Sequence, residues 1–499
     1  MKLNTHSAGT TKNGAAAGIA LLATSIIAVA ASFVDLRFGF AIFGVLAVIA
    51  LIRMLDLGQF VPRTYIGWLY AAVIFLTCWA PSLGSTGTVA RFSLAGLIVV
   101  ALIHSSRSPS LPLQRTLRIG LALLLLSLLI SAMGAASAGY GMARLLNWIM
   151  FVPLLFLALR RPDIKGAGFG IVATSAFQMI GVALQAAGLM GGMWGGLLTS
   201  GTTYNPETSS WLRRYTGFIL NPNNLALVLA LAVVVLAAVM LGKATRRARI
   251  GCLTLIAIFV VGIVVTGSRG GLVAVALGLF VLLAAAGRRG FALGVVAVGL
   301  AAAAYTMAGS RELDRVIESF AEIVSGTDAS AAQRSGVWLT RFDSADGKWL
   351  LGSGFGGYAP HIFAQQQGLD INPKLAALAT VDNAWLKIFL ESGLMGVIGA
   401  ALTMIFPALS ALTKSAGRNR LWGITCGAVV MALIWRSISV DMLDQNPWNA
   451  LVFLAVGLAA ASTASSQPAF SKPVAAQRSA HSAAIKRAKR ATRTRGAAC

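Results

Sequence analysis

An arginine set between two long apolar runs is suited to holding an anion at the edge of a low-dielectric region. Arg269 occupies such a place in Thr266–Gly271 (TGSRGG), with the uncharged runs Ile250–Val265 and Leu272–Ala286 on either side. Its guanidinium stays charged and offers a planar fork of donors that fits phosphate or carboxylate. A charge at the centre of a membrane helix costs roughly 2.5–3.5 kcal/mol, so such a side chain either snorkels to lipid phosphate or meets a partner in a cavity. Two other segments carry groups of related chemistry. Arg213 and Arg214 precede Asn221–Asn224, and Asp382–Asn383 opens a later apolar run. Asn221–Asn224, Asn223 among them, reads either as a cap and turn or as part of a site; Asp382 reads either as an N-cap or as a base. Glu391, mid-run beside Gly393, is either paired inside the protein or turned to a cavity.

The elements that must position these groups are membrane spans. With 57% hydrophobic and 11% charged residues in 499, the chain is a polytopic membrane protein. Apolar stretches fall near residues 15–33, 38–52, 64–80, 92–104, 119–138, 144–159, 166–190, 222–242, 250–266, 271–286, 291–308, 384–412, 421–437 and 448–464. The fourth is short, so the expectation is an all-α transmembrane bundle of 12–14 spans. The first stretch reads as a span and not as a cleaved leader. The four cysteines show no metal-ligand spacing and no disulfide framework, and no metal or cofactor is expected.

The net charge of +25 would suit a nucleic-acid partner, but its placement argues for topology. Arg53, Arg63, Arg107, Arg115, Arg118, Arg160, Arg161, Lys165, Lys243, Arg246, Arg247, Arg249, Arg288, Arg289, Lys414, Arg418 and Arg420 all fall in alternate connections, as do the termini. Only Asp56 and Asp163 are acidic there. This positive-inside pattern puts residues 1–14 and the basic tail 465–499 in the cytoplasm. The tail has too few large apolar residues for a core and is expected to lie disordered near anionic lipid. A large outer loop, 309–382, opens with Leu313, Val316, Ile317, Phe320, Ile323 and Val324 at helical spacing, which reads as an amphipathic helix on the membrane or over a cavity. Arg334, Trp338 and the cluster Gly352, Gly354, Gly356 and Gly357 follow, the glycines implying tight turns or close backbone approach to a ligand. Arg213, Arg214, Arg269 and the Asp382–Asn383 pair then share one outer level. Two or three arginines around an outward cavity suit a diphosphate joining a lipid to a sugar.

Four of these segments resemble the O-antigen ligase and polysaccharide polymerase family of bacterial inner membranes. RYTGFILNPNNLA (Arg214–Ala226) looks like its Arg-x-x-Gly and Asn-Pro-Asn-x-Leu-Ala segment, and TGSRGGLVA (Thr266–Ala274) like its Ser-Arg-Gly hairpin. RSGVWLTRF with LLGSGFGGY resembles a stretch of its large outer loop, and DNAWLKIFLESGLMG (Asp382–Gly396) its closing motif. The resemblance covers roughly residues 210–400. It implies a metal-independent glycosyltransferase acting on undecaprenyl-diphosphate-linked glycan at the outer face, working among membrane lipid beside flippase and chain-length partners. Arg213, Arg214, Arg269 and Asn223 would hold the diphosphate. Arg334, Trp338, Gly354, Gly356 and Asn383 would shape the acceptor side. The family's histidine before asparagine is Asp382 here, and the outer histidine is His361, so either could act as base. That departure tilts the expectation toward a polymerase, with a ligase as the alternative.

Two other readings compete. A lipid-linked glycan flippase also has twelve to fourteen spans and a cationic cavity, but predicts internal repetition and charge in both halves. The first six apolar stretches read as nearly free of charge. A scaffold recruiting partners through the basic tail is the third reading.

Overall fold

The computed structural model describes residues 61–79, 84–107, 114–135, 137–188, 201–205, 210–242, 244–287, 347–357, 383–416, 420–439 and 448–464. Among these residues twelve α-helices run α1 Tyr65–Trp79, α2 Gly84–His104, α3 Arg115–Met133, α4 Ala138–Ile149, α5 Val152–Arg160, α6 Ile164–Ala186, α7 Pro222–Leu241, α8 Arg246–Val265, α9 Arg269–Ala286, α10 Ala384–Lys414, α11 Arg420–Ser439 and α12 Trp448–Ala464. Among the described residues eight stretches, with α4 and α5 together making one, are long and apolar enough to cross a membrane; Tyr65–Cys78, Arg91–His104 and Trp448–Thr463 are shorter apolar helices. The chain is an integral membrane protein of helical architecture, as its composition predicts. The apolar stretches 15–33, 38–52 and 291–308, the segment read as an amphipathic helix, most of loop 309–382 and the tail 465–499 lie outside the described residues.

The helix bounds refine the expected spans. The fourth stretch is longer than its apolar core, because α2 reaches back to Gly84 and takes in Arg91. The sixth is two helices: the chain turns at Met150–Phe151, where Pro153 in the first turn of α5 lacks the donor a continuous helix needs. Arg91 and Arg144 therefore both stand inside helices of the first half, which is less free of charge than its hydropathy suggests. One antiparallel hairpin, β1 Gly201–Asn205 with β2 Ser210–Arg214, was not foreseen; it pairs Thr202 with Arg213 and Gly201 with Arg214.

In hydrocarbon there is no water to expel between helices, so packing rests on close approach and hydrogen bonds. Small residues supply the approach. A Cβ on Gly120 would stand 2.6 Å from that of Leu402, and one on Gly399 would stand 2.5 Å from the backbone nitrogen of Leu124. The backbones of α3 and α10 therefore touch. The central post is α7, buried from Asn224 through Leu236 and walled by α6, α8, α9 and α11. Cys78, Cys252 and Cys426 are free and buried in this interior.

Side-chain bonds sort the helix ends. At one end Arg214 meets Thr266, Arg436 meets Ser268, Trp385 meets Ile434, and Ser131 meets Glu391 and Ser392. At the other, Gln114 meets Thr463, Ser415 meets Ser462, Thr64 meets Asp163, and Arg420 meets Ala285. This second end carries Arg63, Arg107, Arg115, Arg118, Arg160, Arg161, Lys165, Arg246, Arg247, Arg249, Lys414 and Arg420, the residues whose clustering the positive-inside pattern required. The first end, here the hairpin end, carries the candidate site.

Candidate functional site

The site begins with how Arg214 is aimed. Between β2 and α7 the chain turns sharply through Gly217 (φ 55°) and Leu220 (φ 60°). A leucine in the left-handed region costs roughly 1–2 kcal/mol and persists only where its surroundings fix it. Two glutamines of α6, seven residues apart and so on one helix face, do the fixing. Gln185 Oε1 accepts from the backbone N–H of Thr216 (3.1 Å) and of Gly217 (3.0 Å), while its Nε2 donates to Thr216 Oγ1 (2.9 Å). Gln178 Oε1 accepts from Phe218 N (2.8 Å), and the Phe218 ring stacks on Phe177 at 4.7 Å. Neither glutamine stood out in the sequence, where each is one polar residue in an apolar run. Replacing Gln185 with leucine strands two buried N–H groups, at about 1–3 kcal/mol each. The expected result is a clear loss of thermal stability in detergent, with a matching loss of Arg214-dependent function. A Gln185→Leu protein that melts with the wild type would show that the glutamine holds nothing.

Held this way, Arg214 crosses to the α8–α9 turn. Its Nε donates to the Thr266 carbonyl (2.8 Å), and its Nη2 donates to Asn223 Oδ1 (3.2 Å) and the Gly267 carbonyl (3.4 Å). Asn223 Oδ1 also accepts from Ser268 Oγ (3.0 Å), which in turn accepts from Arg436 Nη2 of α11 (3.3 Å). Asn221 is the N-cap of α7, its Oδ1 accepting from the N–H of Asn223 and Asn224. The cap reading of the Asn221–Asn224 run holds for Asn221, and Asn223 is bonded to Arg214. Arg269 is the first residue of α9 and is half-buried. A cation at a helix N-terminus opposes the helix dipole, whereas an anion there is favoured by about 0.3–1 kcal/mol. Arg214 and Arg436 are thus joined, from a hairpin and a helix end, through the neutral amide of Asn223 and the hydroxyl of Ser268, and Arg269 follows Ser268 at a helix start.

A second polar cluster lies on α10. The helix breaks at Gly393 (φ 64°, ψ −167°), which frees backbone groups on both sides. Residues 347–357 satisfy them: Ser353 N donates to Leu390 O (2.8 Å), Gly354 N to Glu391 O (3.1 Å), and the segment accepts from Leu394 N at Trp349 O (2.8 Å) and from Met395 N at Leu350 O (3.3 Å), while Phe355 N donates to Ser131 O of α3 (3.0 Å). The glycine cluster, expected to make tight turns or to approach a ligand, instead lies against the chain's own backbone. A Cβ on Gly354 would fall 2.1 Å from the Gly134 oxygen, and one on Gly393 2.2 Å from the Leu350 oxygen. Glu391 is buried here, with Oε2 3.6 Å from Arg144 Nη2 and Oε1 accepting from Gly356 N (3.3 Å). Of its two sequence readings, the paired one holds.

The structure therefore joins Arg214, Asn223 and the turn before Arg269, and sets Gly354 and Gly356 on α10. Asn383 caps α10, its Oδ1 accepting from Trp385 N and Leu386 N; the cap expected of Asp382 belongs to its neighbour. Arg213 is placed in β2 by its backbone alone. Asp382, His361, Arg334 and Trp338 lie outside the described residues. Arg436, Arg144 and the two glutamines escaped the sequence reading; the signal for the arginines was a single charge within one or two turns of a span's end. Among the described residues no three His, Cys, Asp or Glu side chains come together.

Residues 253–401 match the family model described as O-antigen ligase. No curated protein matches the chain. The match bears out the resemblance to the O-antigen ligase and polysaccharide polymerase family, and it supports a function of that general type. It runs from α8 into α10, taking in Arg269 and Glu391 and leaving Arg214, Asn223 and Arg436 outside.

Proposed function

We propose that this chain, which carries an O-antigen ligase domain over residues 253–401, is a glycosyltransferase that extends undecaprenyl-diphosphate-linked glycan at the outer face of the bacterial cytoplasmic membrane. The observation that carries the reading is the bonded set Arg214–Asn223–Ser268 beside Arg269, built on the matched hairpin and facing the end away from the basic clusters. In this reading the arginines bind the diphosphate of the carrier-linked donor. An acceptor hydroxyl attacks the anomeric carbon; its oxygen forms the new glycosidic bond as the bond from that carbon to the phosphate oxygen breaks. The carrier diphosphate leaves with the electron pair, its charge met by the guanidiniums. The hydroxyl proton passes to a base, Asp382 or His361. No metal is assigned a role.

Polymerase is the first reading because Asp382 stands where the ligases carry histidine. Ligase is the second, favoured by the description of the matching family. The test is the size profile of surface and carrier-linked glycan in a strain lacking the protein, beside one carrying Arg269→Ala at normal abundance. A polymerase leaves single repeats on the carrier in both strains. A ligase leaves full-length chains unattached on the carrier. An Arg269→Ala strain with a wild-type profile would reduce Arg269 to an interfacial anchor.

A further inference from the structure

We infer that Arg436 is part of the same anion site, so that the diphosphate is held between α11 on one side and the α7–β2 junction on the other. The inference rests on the reading of that site as diphosphate-binding and adds a residue far from the matched segment in sequence. Arg436 stands in the last turn of α11 and is 3% exposed. A guanidinium this buried must be met by something able to accept its hydrogen bonds. The last turn of a helix favours a cation, and that alone would explain an arginine turned to its own terminal carbonyls. Here Nη2 reaches across to α9 instead and donates to Ser268 Oγ.

Ser268 is the residue before Arg269 and occupies the N-cap position of α9, yet its side chain does not cap that helix. Its hydroxyl is used sideways, accepting from Arg436 and donating to Asn223, which accepts from Arg214. Three hydrogen bonds thus separate the Nη2 atoms of Arg436 and Arg214, a span of at most about 10 Å at ordinary hydrogen-bond lengths. The outer oxygens of one diphosphate, set farther apart than those of a monophosphate, suit such a gap better. Ser268 and Asn223 are neutral and serve as a spacer, holding two like charges at a fixed distance without neutralising either. Trp385 Nε1 donates to the carbonyl of Ile434, two residues before Arg436 (3.5 Å). The start of α10, where Asn383 caps, is therefore packed beside the same stretch of α11. A diphosphate between Arg214 and Arg436 would lie near the start of α10.

The experiment uses the full-length protein in detergent and follows binding of inorganic pyrophosphate by calorimetry, with inorganic phosphate alongside. Wild type is expected to bind pyrophosphate more tightly than phosphate. Arg436→Ala should weaken pyrophosphate binding by about 10–100-fold and reduce its advantage over phosphate. Arg436→Lys keeps the charge at the helix end and loses the fork, so it should fall between the two. Ser268→Ala keeps both guanidiniums but removes the hydroxyl that accepts from Arg436, and should weaken binding several-fold by releasing the spacer. Arg420→Ala, at the opposite end and bonded to the Ala285 carbonyl, should bind as wild type does. If Arg214→Ala loses binding while both Arg436 variants keep it, this inference falls and the proposed site stands. If wild type does not bind pyrophosphate, or none of the variants changes its binding, the diphosphate reading itself falls. Retention of pyrophosphate preference by Arg436→Lys with full wild-type affinity would overturn the bridging role and leave only a charge at a helix end.

Discussion

Arg214→Ala, at wild-type abundance, should lower the rate of glycan transfer by at least 10²–10³-fold, about 2.7–4 kcal/mol of transition-state stabilisation, the scale seen when one preorganised donor to developing charge is removed. The expectation exceeds that for Arg269 because Arg214 has two tasks. It would face the leaving diphosphate, and it also ties the α8–α9 turn to β2 through the Thr266 and Gly267 carbonyls and Asn223. Losing it therefore removes a cation and loosens the turn that presents Arg269. Arg214→Lys separates the tasks. A lysine supplies the charge but has no Nε–H for the Thr266 carbonyl and no planar fork, so it should recover less than a tenth of the lost rate. The measurement is turnover of carrier-linked glycan by protein in lipid nanodiscs, with thermal unfolding of each variant recorded beside it. A substitution that lowers the unfolding temperature and leaves turnover within a few-fold would make Arg214 a strut for the hairpin. Full rescue by lysine would mean that charge alone matters and that the bonded geometry is incidental.

What the sequence made legible follows from the scale of each signal. Spans were legible because eighteen or more apolar residues have few other uses, and the two ends were told apart because basic residues gather at one of them. Arg214, Asn223 and Arg269 were legible as a group because each breaks an apolar pattern at a span's edge and each sits in a motif. Arg436 breaks a pattern in the same way, but in a span without a motif, and it is the bond to Ser268, visible in the structure alone, that connects it to the others. Gln178 and Gln185 were beyond reach for a different reason. Their value lies in the backbone groups of residues 216–218, and no property of a glutamine in an apolar helix says which distant backbone it will serve. The glycine cluster shows the converse. Its signal was read as tight turns or close approach to a ligand, yet its backbone meets the broken helix α10, because a break at Gly393 looks like any other glycine in a span.

That break gives the second large effect. Glu391→Ala should cost about 3–5 kcal/mol, the penalty for removing one partner of a buried pair and leaving the other charge uncompensated. Both members are well covered, with side chains 13% exposed at Arg144 and 5% at Glu391. The 3.6 Å separation is an ion pair, too long for a hydrogen bond, so most of the expected loss is the stranded guanidinium. Arg144 also stands over the rings of Tyr140 (5.5 Å) and Phe355 (5.9 Å), which bind it to α4 and to the glycine segment at once. Glu391→Gln keeps an acceptor for Gly356 N and should be milder than alanine. The double variant Glu391→Gln, Arg144→Met removes both charges and should recover part of the stability lost in Glu391→Ala. Unfolding in detergent, run as a double-mutant cycle, reads the coupling directly. Since segment 347–357 hangs on this part of α10, limited proteolysis should cut Glu391→Ala sooner within that segment than wild type. Additive single losses, with no coupling energy and unchanged cleavage, would mean that the backbone bonds across Gly393 secure the segment alone and that the pair adds nothing to the anchorage.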